Sequence, residues 1–169
     1  LAALLYEGQA FGIAPEYKDS FQWAQKSAQG GSAAGKAVLG FHYYSGLAVG
    51  ADLDKALGLA KEAAEEDDAK GKALLAGLYY ADGRYDEDPQ SVLAPAREAA
   101  DAGERYGQGL LAYIYAFEAA SKDYVTAEKW ARLAAGQAEP LGWQVLGWLY
   151  FKGHVVEKND SMAWAYLQL

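Results

Sequence analysis

Residues 39–64 read LGFHYYSGLAVGADLDKALGLAKEAA, and this stretch decides the fold because it recurs. Aligning Leu39-Gly40 with Ala76-Gly77, Leu111-Ala112 and Leu146-Gly147 gives steps of 37, 35 and 35 residues. Four residues after each first position stands an aromatic: Tyr43, Tyr80, Tyr115 and Tyr150. Seven residues after it come Gly46, Gly83 and Gly153, with Glu118 the exception. Projected backward, Leu1, Leu5 and Gly8 fall into the same slots. A second landmark runs in parallel, Trp23, Leu59, Pro95, Trp130 and Trp164, at steps of 36, 36, 35 and 34. The first four are each followed by Ala-x-x-small-Ala, and an acid stands seven residues before every one: Glu16, Asp52, Asp88, Asp123 and Glu157. A period near 35 marks an array of two-helix units.

Each slot has a physical reason. The acid opens the second helix of its unit, where a carboxylate caps free N–H groups and meets the positive end of the helix dipole. Asp is the better cap, so Glu16 and Glu157 are expected to act through the dipole alone. The paired alanines let two helices approach closely, and Gly40, Gly77 and Gly147 do the same on the partner helix. Gly46, Gly83 and Gly153 fall just past the first helix, where a left-handed residue ends it cheaply. First helices are predicted at roughly 1–7, 33–45, 69–82, 104–118 and 140–152, and second helices at roughly 16–29, 53–66, 89–102, 124–136 and 158–169. No segment alternates like a strand. The sequence predicts an all-α chain.

These residues resemble the Sel-like repeat, a relative of the tetratricopeptide repeat with a slightly longer unit. Its pattern is Leu-Gly-x-x-Tyr, then x-x-Gly, a variable loop, Asp-x-x-Lys-Ala-x-x-Trp and an Ala-Ala pair. Here Leu39-Gly40, Tyr43, Gly46, Asp52, Lys55-Ala56, Leu59 and Ala63-Ala64 follow it, with Leu in place of Trp. The last unit matches through Leu146-Gly147, Tyr150, Gly153, Glu157 and Trp164. The resemblance covers essentially the whole chain and implies a right-handed α/α solenoid of about five repeats. The units are approximately 1–30, 31–66, 67–103, 104–137 and 138–169, the first and last incomplete.

Three departures stand out. Pro95 occupies the Trp slot six residues inside its helix, where a proline costs about 3 kcal/mol, so a kink or a late helix start is expected there. The fourth unit carries Glu118-Ala119-Ala120-Ser121-Lys122 where the others have a loop glycine. The chain begins at Leu1 rather than Met, as a mature or trimmed product would, and both ends read as cut because solenoids normally finish with polar caps.

A residue advances about 100° along a helix, so the side opposite the packed Leu, Gly and Tyr slots is set by positions two and five residues away from the Leu. Two after the Leu come Phe41, Leu78, Tyr113 and Trp148; five after come Tyr6, Tyr44, Ala81, Ala116 and Phe151; five before come Tyr106 and Leu141. In the resembled family the first helices line the concave surface. An aromatic strip built from Phe41, Tyr44, Leu78, Tyr106, Tyr113, Trp148 and Phe151 is the candidate partner-binding face, since Tyr and Trp bury much area with few rotors. The same rings could instead pack on one another between repeats and meet no ligand. Trp148 and Phe151 are the leading candidates, unless a terminal helix covers them.

Reactive chemistry is sparse. His42 and His154 are the two histidines, and neither has a second His at metal-ligand spacing. Gly107-Gln108-Gly109 with Ala112 formally matches a nucleotide fingerprint, but without a preceding strand it reads as helix packing. Asp82, Asp86 and Asp88 around Gly83 miss the EF-hand spacing. Glu65-Glu66-Asp67-Asp68 reads as a solvated turn with Asp67 or Asp68 near a helix start. Asn159-Asp160-Ser161 is a glycosylation sequon of a kind that arises by chance. Acids spread one per repeat at helix starts do not converge into a catalytic pocket, so the chain reads as non-enzymatic, with no cofactor and no metal.

The bulk properties agree with that reading. The 169 residues are 52% hydrophobic and 22% charged, with net charge −8, which disfavours nucleic acid and anionic membranes. The absence of cysteine excludes disulfides, Cys-bound zinc and thiol nucleophiles. No run of about 18 apolar residues is present, so membrane insertion is not expected. The resemblance implies a protein-interaction scaffold or adaptor whose partner is another protein, such as a peptide segment or an envelope component, on the periplasmic or secreted side. The alternative it also offers is an immunity protein that neutralises a secreted toxin, for example a phospholipase-type effector. The oligomeric state cannot be read from the sequence.

Overall fold

Helices form where the apolar spacing and the capping residues agree. The structure is a computed structural model and describes residues 17–118 and 122–169. The opening helix read at 1–7, Tyr6 and Glu16 lie outside the described residues, as do positions 119–121 of the fourth loop. Among the described residues there are helices and turns and no strand. The chain divides after Pro95 into two compact units, Leu1–Pro95 and Ala96–Leu169.

In the first unit α1 (Tyr17–Gln29), α2 (Ala33–Ser45), α3 (Leu53–Glu65) and α4 (Ala69–Ala81) follow one another as antiparallel neighbours, α2 packing on both α3 and α4. A single turn, α5 (Arg84–Glu87), which the sequence reading lacks, precedes the start of α6 (Pro89–Asp101). Four of these starts are capped by a side chain at the position its sequence offers. Gly35 N–H donates to Ser32 Oγ at 3.1 Å, Lys55 N–H to Asp52 Oδ1 at 3.0 Å, Gly71 N–H to Asp68 Oδ1 at 2.8 Å and Gln90 N–H to Asp88 Oδ1 at 3.1 Å. Ala24 and Leu39 form one apolar cluster, and Ala56, Ala60, Leu74 and Leu78 another.

The second unit continues with α7 (Arg105–Tyr113), a π-helical turn (Ile114–Glu118), α8 (Tyr124–Gly136), α9 (Pro140–Lys152) and α10 (Asp160–Leu167). Its core gathers Ala112, Ala116, Ala127, Ala131, Val145, Leu146 and Leu149. Asp123 Oδ1 accepts from Thr126 N–H at 3.0 Å, as its place in the repeat requires. Two expectations need correction. The last second helix does not begin at 158 under Glu157: it begins at Asp160, because Asn159 supplies the cap, its Oδ1 accepting from Met162 N–H at 2.9 Å. Of the two outcomes expected at Pro95, a kink or a late helix start, the late start does not occur. Pro89, at the first position, and Asp88, at the cap, start α6 on schedule, and the helix runs through Pro95 to Asp101.

Among the described glycines, the tightest helix approaches fall twelve residues after each Trp-slot landmark, where the sequence reading had singled out only Gly107 as packing. A methyl group on Gly35 would lie 2.7 Å from Ala28 N; on Gly71, 2.5 Å from Ala63 Cβ; on Gly107, 2.8 Å from Ala99 Cβ; on Gly142, 2.5 Å from Ala135 N. Each glycine thus sits on the small pair of the preceding helix, and a Cβ at that point would strike backbone. The turns leading into these helices hold one left-handed residue apiece, at Gly31, Asp67, Gly103 and Ala138.

Candidate functional site

The seven residues of the predicted strip are divided between the two units. In the first, Phe41 packs half-buried against the cluster that contains Leu78, and meets Tyr44 edge-on with ring centres 6.1 Å apart. Leu78 is only 8% exposed, so it supports the face rather than presenting itself, while Tyr44 is exposed at 39%. In the second unit Tyr106, Tyr113 and Trp148 are half-buried and Phe151 is exposed, with the Lys152 and Lys158 ammonium groups 5.2 and 5.7 Å from its ring centre.

Around Tyr113 and Trp148 the structure assembles a continuous set of rings. Phe117 bridges the two, 4.9 Å from Tyr113 and 4.9 Å from Trp148. Tyr124 lies 5.6 Å from Trp148 and stacks on His154 at 4.2 Å with ring planes 13° apart. His154 closes the set 5.2 Å from Trp148. All five rings are half-buried. Phe117, Tyr124 and His154 were not among the predicted strip residues.

Two unusual backbone features produce this arrangement. The π-helical turn over Ile114–Glu118 widens the last turn of the helix, which changes where Phe117 points relative to a regular 3.6-residue progression. On the other side, Gly153 N–H and His154 N–H both donate to Leu149 C=O, at 2.9 and 3.2 Å, and fold the loop back over the end of α9. Two residues later Val155 takes a left-handed conformation with φ 56°. A β-branched side chain rarely accepts that region, and such strain persists only where surrounding contacts enforce it.

The other singled-out residues have structural employment. His42 is fully buried, shares a 2.9 Å hydrogen bond with the Ser20 hydroxyl through Nε2, and meets the Phe21 ring edge-on. Burial holds its imidazole pKa below the ordinary 6.5. Gly107 sits on the Ala99-Ala100 pair; Gln108 Nε2 donates to Ala100 C=O at 3.3 Å, and its Oε1 accepts from Gln137 Nε2 at 2.9 Å. That accounts for the fingerprint-like glycines as packing. Glu139 caps α9 from a buried position 3.9 Å from Arg105 Nε. Burial pushes its carboxyl pKa up, against weaker pulls from the Leu141 N–H and Arg105. Asp82 pairs with Arg84, Asp67 with Lys72, and Asp68 caps α4. The sequon asparagine, Asn159, spends its side chain as a helix cap. Among the described residues no three His, Cys, Asp or Glu side chains converge as a metal site would require, and no helix is long and apolar enough to cross a membrane.

No protein-family model matches this sequence, and no curated protein does. Solved structures do match. A protective antigen present in uropathogenic Escherichia coli strains and displaying an SLR fold is 24% identical with a TM-score of 0.64, the match covering 98% of this chain and 35% of that one. This chain therefore spans about a third of that protein's length. A Sel1 repeat protein from Oxalobacter formigenes is 20% identical at a TM-score of 0.66, covering 98% of this chain and 68% of its own. A structure from Klebsiella pneumoniae subsp. pneumoniae described as a sel1 repeat protein is 23% identical at 0.67, covering 99% and 82%. The likeness spans both units, and the fold is that of the Sel1-repeat α/α solenoids.

Proposed function

We propose that this Sel1-repeat solenoid is a non-enzymatic protein-binding scaffold, and that it takes a segment of a partner protein across the rings of Tyr113, Phe117 and Trp148, flanked by Tyr124 and His154. The observation that carries the reading is the convergence of the π-helical turn and the left-handed Val155 on this one set of rings. A repeat fold spends strain where something other than packing selects for it. Half-buried Tyr, Phe and Trp are rigid, present both apolar faces and polar edges, and dominate binding energy where they occur at interfaces. In the first unit Phe41 and Tyr44 form a smaller pair of the same kind. The net charge of −8 favours a basic or apolar partner over an acidic one.

The test is affinity purification from the native source with wild type and with a Trp148→Ala, Tyr113→Ala double variant. Capture of the principal partner is lost while helical content by circular dichroism is retained. Unchanged capture by a fully helical double variant would leave the rings as packing alone and sink the proposal.

A further inference from the structure

We propose that the junction between α7 and α9 is an acid-strengthened latch, in which the Glu139 carboxyl, seated in a notch that Gly109 opens in α7, is the group that takes up the proton. Glu139 stands at the start of α9, where Ser32, Asp68 and Glu104 stand before the earlier first helices. Those three are used in one way: each side chain accepts from the N–H of the glycine three residues on, at 3.1, 2.8 and 2.7 Å. Glu139 is used in another. The corresponding Gly142 N–H goes to the Glu139 C=O at 3.0 Å, Pro140 has no N–H to give, and the carboxyl is left with the Leu141 N–H at 3.5 Å. The Glu139 side chain is 11% exposed.

The neighbouring helix is cut to receive it. A methyl group on Gly109 would lie 2.9 Å from Glu139 Cγ and 3.0 Å from Leu141 Cβ. The same register position holds Ala37 in α2, Ala73 in α4 and Gln144 in α9. Glycine weakens a helix interior, and in α7 the approach to the preceding helix is already made by Gly107. What Gly109 accommodates is the stem of the buried acid.

A carboxylate held away from water stays charged only with donors or a cation at close range. Glu139 has one long hydrogen bond and the Arg105 Nε at 3.9 Å, on a side chain that is itself 29% exposed. Among the described residues no other charge approaches it from the three helices that meet here: Arg105 is the one charged residue of α7, α9 has none before Lys152, and α8 has none after Arg132. Glu104, beside Arg105, accepts from Gly107 N–H, and the neutral Gln108 and Gln137 side chains pair with each other. Burial therefore outweighs the two attractions and raises the Glu139 pKa above the ordinary 4.5. The folded chain takes up this proton before the unfolded one. The contribution to stability is complete below pH 4.5 and is lost as pH rises through the folded-state value. Its sign is opposite to that of His42 in the first unit.

Urea unfolding of the 169-residue chain, followed by circular dichroism between pH 5 and pH 8, tests this with Glu139→Gln, which keeps the shape and removes the charge. The midpoint of the variant lies above that of wild type at pH 8, and the gap closes toward pH 5; His42 acts alike in both chains and cancels. In an Arg105→Gln background the gap at pH 8 widens, because the cation that offsets the buried charge is gone. By carbon-13 NMR, the carboxyl resonance that Glu139→Gln abolishes titrates above 4.5 in the folded chain. A Glu139→Gln midpoint below wild type at pH 8, a gap that does not change with pH, a gap that Arg105→Gln narrows, or a carboxyl that titrates at or below 4.5 would each overturn the latch.

Discussion

Gly58 and Gly71 lie in consecutive packed helices of the first unit, yet replacing each by alanine should move stability in opposite directions. Gly58 is in the interior of α3 with nothing within 4 Å of a new methyl group. Gly58→Ala therefore gains the helix preference of Ala over Gly, about 0.5–1 kcal/mol, and nothing opposes it. On Gly71 the same methyl meets Ala63 Cβ at 2.5 Å and the backbone of Ala63 and Ala64 at 2.8 Å. Ordinary contact begins near 3.4 Å, so α4 has to lift off α3 by most of an ångström, because helix backbone cannot rotate aside as a side chain would. Overpacking of that kind costs about 1–3 kcal/mol, more than the propensity gain, so Gly71→Ala is a net loss. The two variants thus differ by the overpacking cost itself. Urea unfolding followed by circular dichroism reads it directly: the Gly58→Ala midpoint rises, the Gly71→Ala midpoint falls, and the slopes stay equal. A rise of equal size in both would refute the claim that these glycines set the distance between helices.

Other perturbations have outcomes the geometry decides. Ala138→Gly relieves a left-handed alanine at φ 59°, and its melting temperature rises by the equivalent of about 1 kcal/mol, a fall showing that the turn is not strained. Because burial keeps the His42 pKa below 6.5, the unfolded chain takes up the proton first; that contribution to stability is complete above pH 6.5 and lost as pH falls through the folded-state value. His42→Gln flattens this acid-side slope in urea titrations of the first unit, and an unchanged slope places its origin elsewhere. Asn159→Ala removes the cap of α10 and lowers stability by about 1 kcal/mol in thermal melts of the second unit, whereas Glu157→Ala leaves it almost unmoved. Reversal of that order would restore Glu157 as the residue that starts the helix.

The array was legible because each of its parts obeys a local rule that repeats. Caps at Asp52, Asp88 and Asp123 and the small pairs after the landmarks are signals within one helix or one turn, and the structure places helices within a residue or two of the predicted bounds. The seating glycines were legible too, at a fixed twelve residues after each landmark, but an isolated glycine in a helix reads as neutral until the neighbouring backbone is known. Asn159 failed for a different reason: a better cap lay two residues beyond the repeat's acidic slot, and local hydrogen bonding overrode the register. The strip was half legible. Helical arithmetic finds Tyr113 and Trp148, yet it fixes each residue's direction from an unbroken 3.6-residue turn. Phe117 falls inside the one described turn that departs from it, and Tyr124 and His154 come from a helix start and a loop that such arithmetic does not describe.

That failure is itself informative about where the molecule is specialised. The fourth unit is the one whose loop glycine is missing, and the missing glycine and the π-helical turn are adjacent: the chain reaches Glu118 without the residue that ends the equivalent helices at Gly46, Gly83 and Gly153. A helix deprived of its left-handed stop can run on as a wider turn, and the residue in the added turn is an aromatic, Phe117, where the corresponding slots hold Ser45, Asp82 and Lys152. Three polar residues at one register position against a single ring at the fourth is the pattern the proposed binding surface needs. The loop that follows α9 then carries the compensating strain at Val155 while His154 stacks on Tyr124. Restoring the stop with Glu118→Gly should therefore let the helix end early, withdraw Phe117 from Trp148, and quench less of the Trp148 fluorescence. If the Trp148 environment is indifferent to that change, read in a background with the other tryptophans replaced by Phe, the π-helical turn is not what sets Phe117 against it.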